Sequence, residues 1–127
     1  MTIYFTDKEL ACEGTGITWL AEGFGDKLDE LRHAYGKPMK VNSACRSMKH
    51  NAAINGHPNS AHVYDHPARE FRGSYAIDIH CVDGHLRLRM VQCGIALGWS
   101  VGVNKTFIHF DRRTDYFPDM KPVLFTY

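Results

Sequence analysis

The fold is decided by the stretch Tyr75-Ala76-Ile77-Asp78-Ile79-His80-Cys81. Its apolar and polar residues alternate, and this two-residue period is typical of a β-strand with one buried face. A second stretch, Phe107-Ile108-His109-Phe110-Asp111, alternates in the same way in its second half. The two stretches predict neighbouring strands at the centre of the domain.

Helices and shorter segments surround these two predicted strands. Apolar residues at steps of three and four predict a helix over 17–35, which Gly36-Lys37-Pro38 ends. A short strand, a short helix and a longer helix are expected at 40–43, 48–54 and 84–97. The order lacks the regular alternation of strand and helix that marks parallel sheets. We therefore expect an α+β fold, with a small antiparallel sheet, flanking helices and an irregular tail after Pro118.

Length and charge exclude several classes of protein. With 127 residues, the chain is expected to form a single domain over 1–127. Its net charge of +1 gives no strong field towards nucleic acid or anionic lipid, so neither is expected as a partner. No apolar run approaches the ~18 residues of a membrane helix. The start of the sequence lacks the pattern of a signal peptide, which predicts synthesis in a cytoplasm.

The cysteines and tryptophans are expected to be structural. Cys12, Cys45, Cys81 and Cys93 form no C-x-x-C pair, and we expect them to be small buried hydrophobic residues. A Cys81–Cys93 disulfide is the alternative. Trp19 and Trp99 are expected to pack in the core.

Histidine and aspartate recur at a spacing of two on both predicted strands. Asp78 and His80 share one face of the first strand, and His109 and Asp111 share one face of the second. His62, in the loop before the first strand, is placed to close a pocket between them. Imidazole and carboxylate groups are ligands that zinc accepts, although each such residue alone is more often an ordinary polar group.

The ordered motifs of the chain resemble those of one family. They are Ser43-Ala44-Cys45-Arg46-Ser47, then Asn51, Gly56 and Asn59-Ser60-Ala61-His62, then Ala76-Ile77-Asp78-Ile79, and last Phe107-Ile108-His109-Phe110-Asp111. Over about residues 38–113 the chain resembles the D-Ala-D-Ala carboxypeptidase/endopeptidase zinc metallopeptidases, which have the hedgehog/DD-peptidase fold. Phage endolysins are among their members.

This resemblance implies roles for individual residues. It implies that zinc is bound by His62, Asp78 and His109. It places Arg46 beside the substrate, because a guanidinium donates to a carbonyl or carboxylate in a fixed fork; the alternative is that Arg46 ties down the neighbouring loop. Ser60 is expected to contact the substrate, and His80 is a candidate to stabilise an oxyanion.

Two departures from the family pattern matter. His62 and Asp78 are sixteen positions apart, whereas the pattern keeps them close, so residues 64–72 are interpreted as a loop insertion that shapes specificity or acts as a lid. Thr106 and Phe107 stand where many relatives carry a carboxylate or a histidine that serves as general base. Neither residue can act as a base.

Asp111 is the first candidate for that missing base, because it faces the same side as His109. The alternatives are a carboxylate that orients His109, or a salt bridge to Arg112 or Arg46. Asp65 and Glu70 in the insertion are weaker candidates. The remaining histidines are assigned to loops or to the surface: His33, His50, His57, His66 and His85.

The function that follows is a zinc-dependent peptidase that hydrolyses peptide bonds of bacterial peptidoglycan, as an endolysin-type endopeptidase. Peptidoglycan stem peptides are the expected partner, and a monomer is expected. The enzyme would be made in a host cytoplasm and act in the periplasm or cell wall after holin-assisted release, or be associated with a virion. The alternatives are a D-alanyl-D-alanine carboxypeptidase and a catalytically idle metal-binding phage structural protein on the same scaffold.

Overall fold

The computed structural model describes residues 2–127 and contains five helices and five strands within that range. In chain order they are α1 (Asp7–Leu10), α2 (Phe24–Tyr35), β1 (Lys40–Ser43), α3 (Met48–Ala53), β2 (Ala76–His80), α4 (Gly84–Ala96), β3 (Ser100–Val103), β4 (Phe107–Asp111), α5 (Arg113–Tyr116) and β5 (Leu124–Thr126). The predicted α+β class is confirmed.

The strands form one sheet in the order β1-β2-β4-β3-β5. The pairs β1–β2, β2–β4 and β3–β4 are antiparallel, and β5 lies parallel to β3. Asp78 of β2 is the direct partner of His109 of β4, and Gly102 of β3 is the partner of His109 on its other side. The pairing therefore brings two predicted metal ligands to adjacent positions in the sheet.

The core lies on the opposite face of the sheet from these ligands. Ile77, Ile79, Ile108 and Phe110 alternate with Asp78 and His109 along β2 and β4, and their side chains are fully buried in the main hydrophobic cluster. Helices α2 and α4 pack on this side. Gly94 of α4 lets the helix approach closely, because a Cβ there would lie 2.4 Å from the Phe110 ring.

The second helix begins later than the sequence predicted. It starts at Phe24 rather than at residue 17, because Gly23 has a φ of 82° and separates the helix from the preceding segment. That segment runs beside residue 74: Leu20 and Ser74 form a β-bridge. Trp19 is 44% exposed, so the prediction that it packs in the core was wrong, whereas Trp99 is 2% exposed and does lie in the core.

Arg69 and Phe71 are among the side chains through which residues 64–72 pack against the domain. The Arg69 guanidinium donates to the carbonyls of Val63 at 2.6 Å and Ser60 at 2.8 Å, and lies over the Tyr75 ring. Phe71 stacks on Tyr116, with ring centroids 5.1 Å apart. Buried carbonyls and stacked rings hold this segment in one position.

The cysteines are all free. Cys12, Cys45 and Cys81 are buried and Cys93 is half-buried, which confirms the prediction of small buried hydrophobic residues over the disulfide. Among residues 2–127, no helix combines the length and the apolar character that a membrane crossing needs.

Candidate metal centre

Two strands and one loop position the three predicted ligands. Asp78 and His109 stand at the middle of β2 and β4, where sheet pairing fixes their backbones on both sides. His62 comes from the loop, whose backbone is held by hydrogen bonds from Arg46 N to His62 O at 2.9 Å and from Tyr64 N to Arg46 O at 2.9 Å. The backbone of each ligand is therefore held by hydrogen bonds, although only two of the three ligands lie in strands.

The His62 ring presents an unprotonated nitrogen to the centre. Its Nδ1 lies 2.7 Å from the carbonyl oxygen of Ala44, and since a carbonyl only accepts, Nδ1 carries the proton. Burial lowers the pKa of His62 and outweighs the opposing effect of Asp78, so the ring is neutral. The lone pair of Nε2 then lies 3.2 Å from Asp78 Oδ1 with no hydrogen bond.

The His109 ring lies between two carboxylates. Its Nδ1 is 2.9 Å from Asp78 Oδ1, and its Nε2 is 2.8 Å from Asp111 Oδ2. Burial lowers the pKa of His109, but the hydrogen bonds to Asp111 and Asp78 outweigh it and raise the pKa to about 8. Without a cation, a proton on each nitrogen neutralises part of the carboxylate charge.

These contacts fit a metal ion better than they fit a hydrogen-bonded cluster. The buried lone pair of His62 Nε2 faces the negatively charged Asp78, and a buried polar atom without a partner is costly. One ligand atom from each of His62, Asp78 and His109 lies within 4.8 Å of the other two. Tetrahedral zinc with bonds of ~2.0–2.2 Å separates its ligand atoms by roughly 3.3 Å, close to the distances found.

Arg46 contacts the same carboxylate from outside. Its Nη2 lies 3.5 Å from Asp78 Oδ2, while Nε donates to Ser43 Oγ and Nη1 to Asn51 Oδ1. Burial raises the pKa of Asp78, but His62 and His109 lower it by more, so the pKa stays well below its usual value and the carboxylate is ionised. Arg46 thus borders the centre with its guanidinium oriented by two neighbours, as both of its predicted roles require.

Asp111 has no free oxygen. Oδ2 accepts from His109 Nε2 and from Arg113 Nη2 at 2.7 Å, and Oδ1 accepts from the backbone N–H and Nε of Arg113. The carboxylate is 0% exposed. Burial raises its pKa, yet the Arg113 and His109 hydrogen bonds prevail and lower it to about 2. This is the geometry of a carboxylate that orients His109, with Arg113 rather than Arg112 or Arg46 as its salt-bridge partner.

None of the other predicted site residues belongs to the group of three ligands. His80 is exposed at the end of β2. Ser60 is half-buried and its Oγ accepts from the His62 N–H at 3.2 Å, which shapes the loop that carries His62. Asp65 Oδ1 accepts from Met48 N at the start of α3, and Glu70 is exposed.

The remaining histidines are half-buried or exposed, as expected for loops and surface: His33, His50, His57, His66 and His85. Within residues 2–127, no further set of three histidine, cysteine, aspartate or glutamate side chains meets the spacing of the metal group. The Nδ1 of His66 accepts a hydrogen bond from Ala68 N.

Two aromatic residues of β5 and its end were not predicted to adjoin the centre. The Phe125 ring lies 5.5 Å from the His109 ring, and a Cβ at Gly102 would come within 2.5 Å of Phe125. Tyr127 packs on Phe107, and burial and Asp78 raise its pKa to about 12, while Arg46 opposes them. In the sequence, Gly102 was the feature that could have indicated an aromatic side chain over His109.

Comparison with known proteins gives one informative result. The model of the family described as Peptidase M15 matches residues 3–111. The match spans all three candidate ligands and ends at Asp111, so β5 lies beyond it. None of the curated proteins compared with the chain matches it.

Proposed function

The chain belongs to the peptidase M15 family, and we propose that it is a zinc-dependent peptidase that hydrolyses peptide bonds of bacterial peptidoglycan, as an endolysin-type endopeptidase. M15 peptidases depend on zinc, and the His62 nitrogen that faces Asp78 without a hydrogen bond is the observation that carries the proposal. In this chain His62, Asp78 and His109 would hold the ion. When bound, zinc supplies a Lewis acid that polarises a carbonyl and makes a water molecule more acidic.

The surrounding side chains would bind and orient. Arg46 donates to the carbonyl or carboxylate of the peptide from a guanidinium that Ser43 and Asn51 already hold. Asp111 accepts the proton of His109 Nε2 and so orients the ring, which leaves Nδ1 of His109 to bind the ion.

Stem peptides of peptidoglycan are the proposed substrate, reached in the periplasm or cell wall after holin-assisted release, or from a virion. The same centre would serve a D-alanyl-D-alanine carboxypeptidase, and the products of digestion separate the two. An idle metal-binding phage structural protein is favoured by one observation, the full engagement of both Asp111 oxygens. Such a protein would bind zinc and cleave nothing.

The test combines zinc analysis with digestion of purified sacculi, followed by mass spectrometry of the released fragments. We expect one zinc per chain and new peptide amino termini with the wild type and with His85→Ala, a control at an exposed histidine of α4. His109→Ala should lose both. Release of D-alanine alone would indicate the carboxypeptidase. Bound zinc together with intact sacculi would indicate the idle metal-binding protein. Absence of zinc together with intact sacculi would refute the proposal as a whole.

A further inference from the structure

A large cleft lies beside α3, outside the metal centre. We call it the Trp19 cleft; it has a volume of about 690 Å³. Ile17, Trp19 and Tyr64 supply apolar surface, and Thr15, Lys49, His50 and Asp65 supply polar groups. Trp19 is 44% exposed and Ile17 is 47% exposed, which is unusual for two large apolar residues in one concave site.

The backbone of Trp19 is held by hydrogen bonds, and its exposed ring packs on one neighbour. Its carbonyl accepts from Ser74 N at 2.8 Å, and its N–H donates to Cys45 Sγ at 3.4 Å. Tyr64 backs the indole at a centroid distance of 5.8 Å, and the Tyr64 hydroxyl is fixed at 3.0 Å from Thr15 Oγ1. An exposed ring that is already ordered loses little entropy when a ligand packs on it.

The lining of the cleft indicates the chemistry of its ligand. Lys49 and Asp65 carry opposite charges, so the cleft has no strong preference for an anion or a cation. An aromatic face with hydroxyl, amine, imidazole and carboxylate groups around it suits an uncharged ring that is apolar on its face and polar at its edge. A pyranose has this form, since its axial C–H bonds pack on the electron-rich face of an indole and its hydroxyl groups form hydrogen bonds.

The Trp19 cleft shares a lining residue with a second cleft, which lies near the metal centre. His50 lines this cleft and also a smaller one of about 230 Å³, to which Arg46 and Ser43 contribute. Arg46 in turn lies 3.5 Å from Asp78. A polymer that carries peptides on a saccharide backbone could therefore place a sugar on Trp19 and a peptide at the metal.

We propose that the Trp19 cleft binds the glycan strand of the polymer whose peptides are cleaved at the metal centre, that is, a saccharide of N-acetylated hexosamines. The proposal rests on the proposed function for the identity of the polymer. Trp19 stacks on the sugar face, and the polar groups around the cleft bind its hydroxyl and acetamido groups.

The test is binding of glycan strands stripped of their stem peptides, measured by calorimetry with the zinc-loaded chain. Wild type and Tyr4→Ala should bind equally, because Tyr4 is an aromatic residue of similar exposure, 39%, that does not line the cleft. Trp19→Ala should bind roughly tenfold more weakly, as the loss of about one aromatic contact predicts. Trp19→Tyr should recover part of the affinity. This second variant also distinguishes loss of the stacking contact from failure of a variant to fold.

A kinetic measurement separates this proposal from the proposed function. If both hold, Trp19→Ala raises KM on sacculi and leaves cleavage of isolated stem peptides unchanged. If glycan binding depends on Trp19 but sacculi stay intact, the result supports glycan binding in the Trp19 cleft and refutes the proposed peptidase activity. If sacculi are cleaved but no saturable glycan binding is found, the proposed glycan site is refuted and the peptidase proposal stands. The same holds if Trp19→Ala binds glycan as tightly as the wild type. Dimerisation that Trp19→Ala abolishes would also overturn it, because the cleft would then hold a second copy of the chain.

Discussion

The two histidines of the metal centre hold their protons in different ways. His62 donates Nδ1–H to a backbone carbonyl, and His109 donates Nε2–H to the carboxylate of Asp111. A carbonyl is neutral, whereas a carboxylate is charged and makes the ring it contacts more basic. His62 is thus ready to bind an ion at any pH near neutrality, and His109 must first release a proton.

Replacing Asp111 by Asn tests whether this carboxylate orients His109. We expect zinc affinity to fall by about 10- to 100-fold, because the charged acceptor of the Nε2 proton is lost. Affinity is measured by competition with a chelator, and activity is measured again at saturating zinc, where it should largely recover. Asp115→Asn, at a carboxylate paired with Arg112, is the control. Normal zinc affinity with no activity at saturation would instead indicate that Asp111 is the general base.

Zinc affinity should depend on pH through His109. Since its pKa is raised to about 8, zinc must displace a proton below that value, and the apparent Kd should rise about tenfold for each pH unit from 8 down to 6. Above pH 8 the dependence should level off. Asp111→Asn removes one of the hydrogen bonds that raise the pKa, so its curve should be displaced to lower pH. A flat curve between pH 6 and 8 in the wild type would contradict this account.

Strand β5 acts on the centre as an element. It pairs in parallel with β3 and carries Phe125 onto the His109 ring, over the space left by Gly102. The Arg113 guanidinium lies over the Phe125 ring, 5.7 Å from its centroid. The strand lies beyond residues 3–111, which match the family model.

Truncating Phe125 to Ala should expose His109 to water. We expect a loss of about 2 kcal/mol in the free energy of unfolding, since a half-buried aromatic side chain is removed, and faster release of zinc. Denaturant unfolding and chelator-driven zinc release measure the two effects. Leu124→Ala, at a neighbour that is 62% exposed, should change stability by less than about 0.5 kcal/mol. Equal release rates for the two variants would show that β5 does not shield the site.

The strands β2 and β4 and the short strand β1 at 40–43 were predictable, whereas β3 and β5 were not. The alternation of apolar and polar residues predicted β2 and β4. The apolar stripe of α2 is present as predicted, although the helix begins only after Gly23. β3 has four residues with a glycine, and β5 has three residues in a tail that was predicted to be irregular. Segments this short depend on pairing with β4 and β3, which local sequence does not encode.

At the scale of the whole molecule, the candidate centre was predictable only in part. The three ligands lie together because direct pairing of β2 with β4 puts Asp78 opposite His109, and alternation already indicated this. The full engagement of Asp111 depends on Arg113, the first residue of α5, which follows β4 closely. The exposure of Trp19 depends on a bridge between residues 20 and 74, and no local pattern predicts such a distant contact.

Metal binding should stabilise the entire domain, because its ligands join distant parts of the chain. At free zinc about 100 times the Kd, the gain is about 2.7 kcal/mol, which corresponds to a rise in Tm on the order of 10 °C for a chain of this size. Thermal unfolding with zinc and with a chelator measures the rise. His62→Ala should lose it, and His85→Ala should keep it. A Tm that does not respond to zinc in the wild type would show that the three residues do not bind the ion.

The position of β4 has a consequence for the order of events in the cell. β2 and β3 do not pair with each other, since both pair with β4, which is made after them. While residues 107–111 are still missing from a growing chain, the sheet exists only as separate parts and Asp78 has no histidine opposite it. A metal ion bound by His62, Asp78 and His109 would therefore be acquired only after residue 109 has been synthesised.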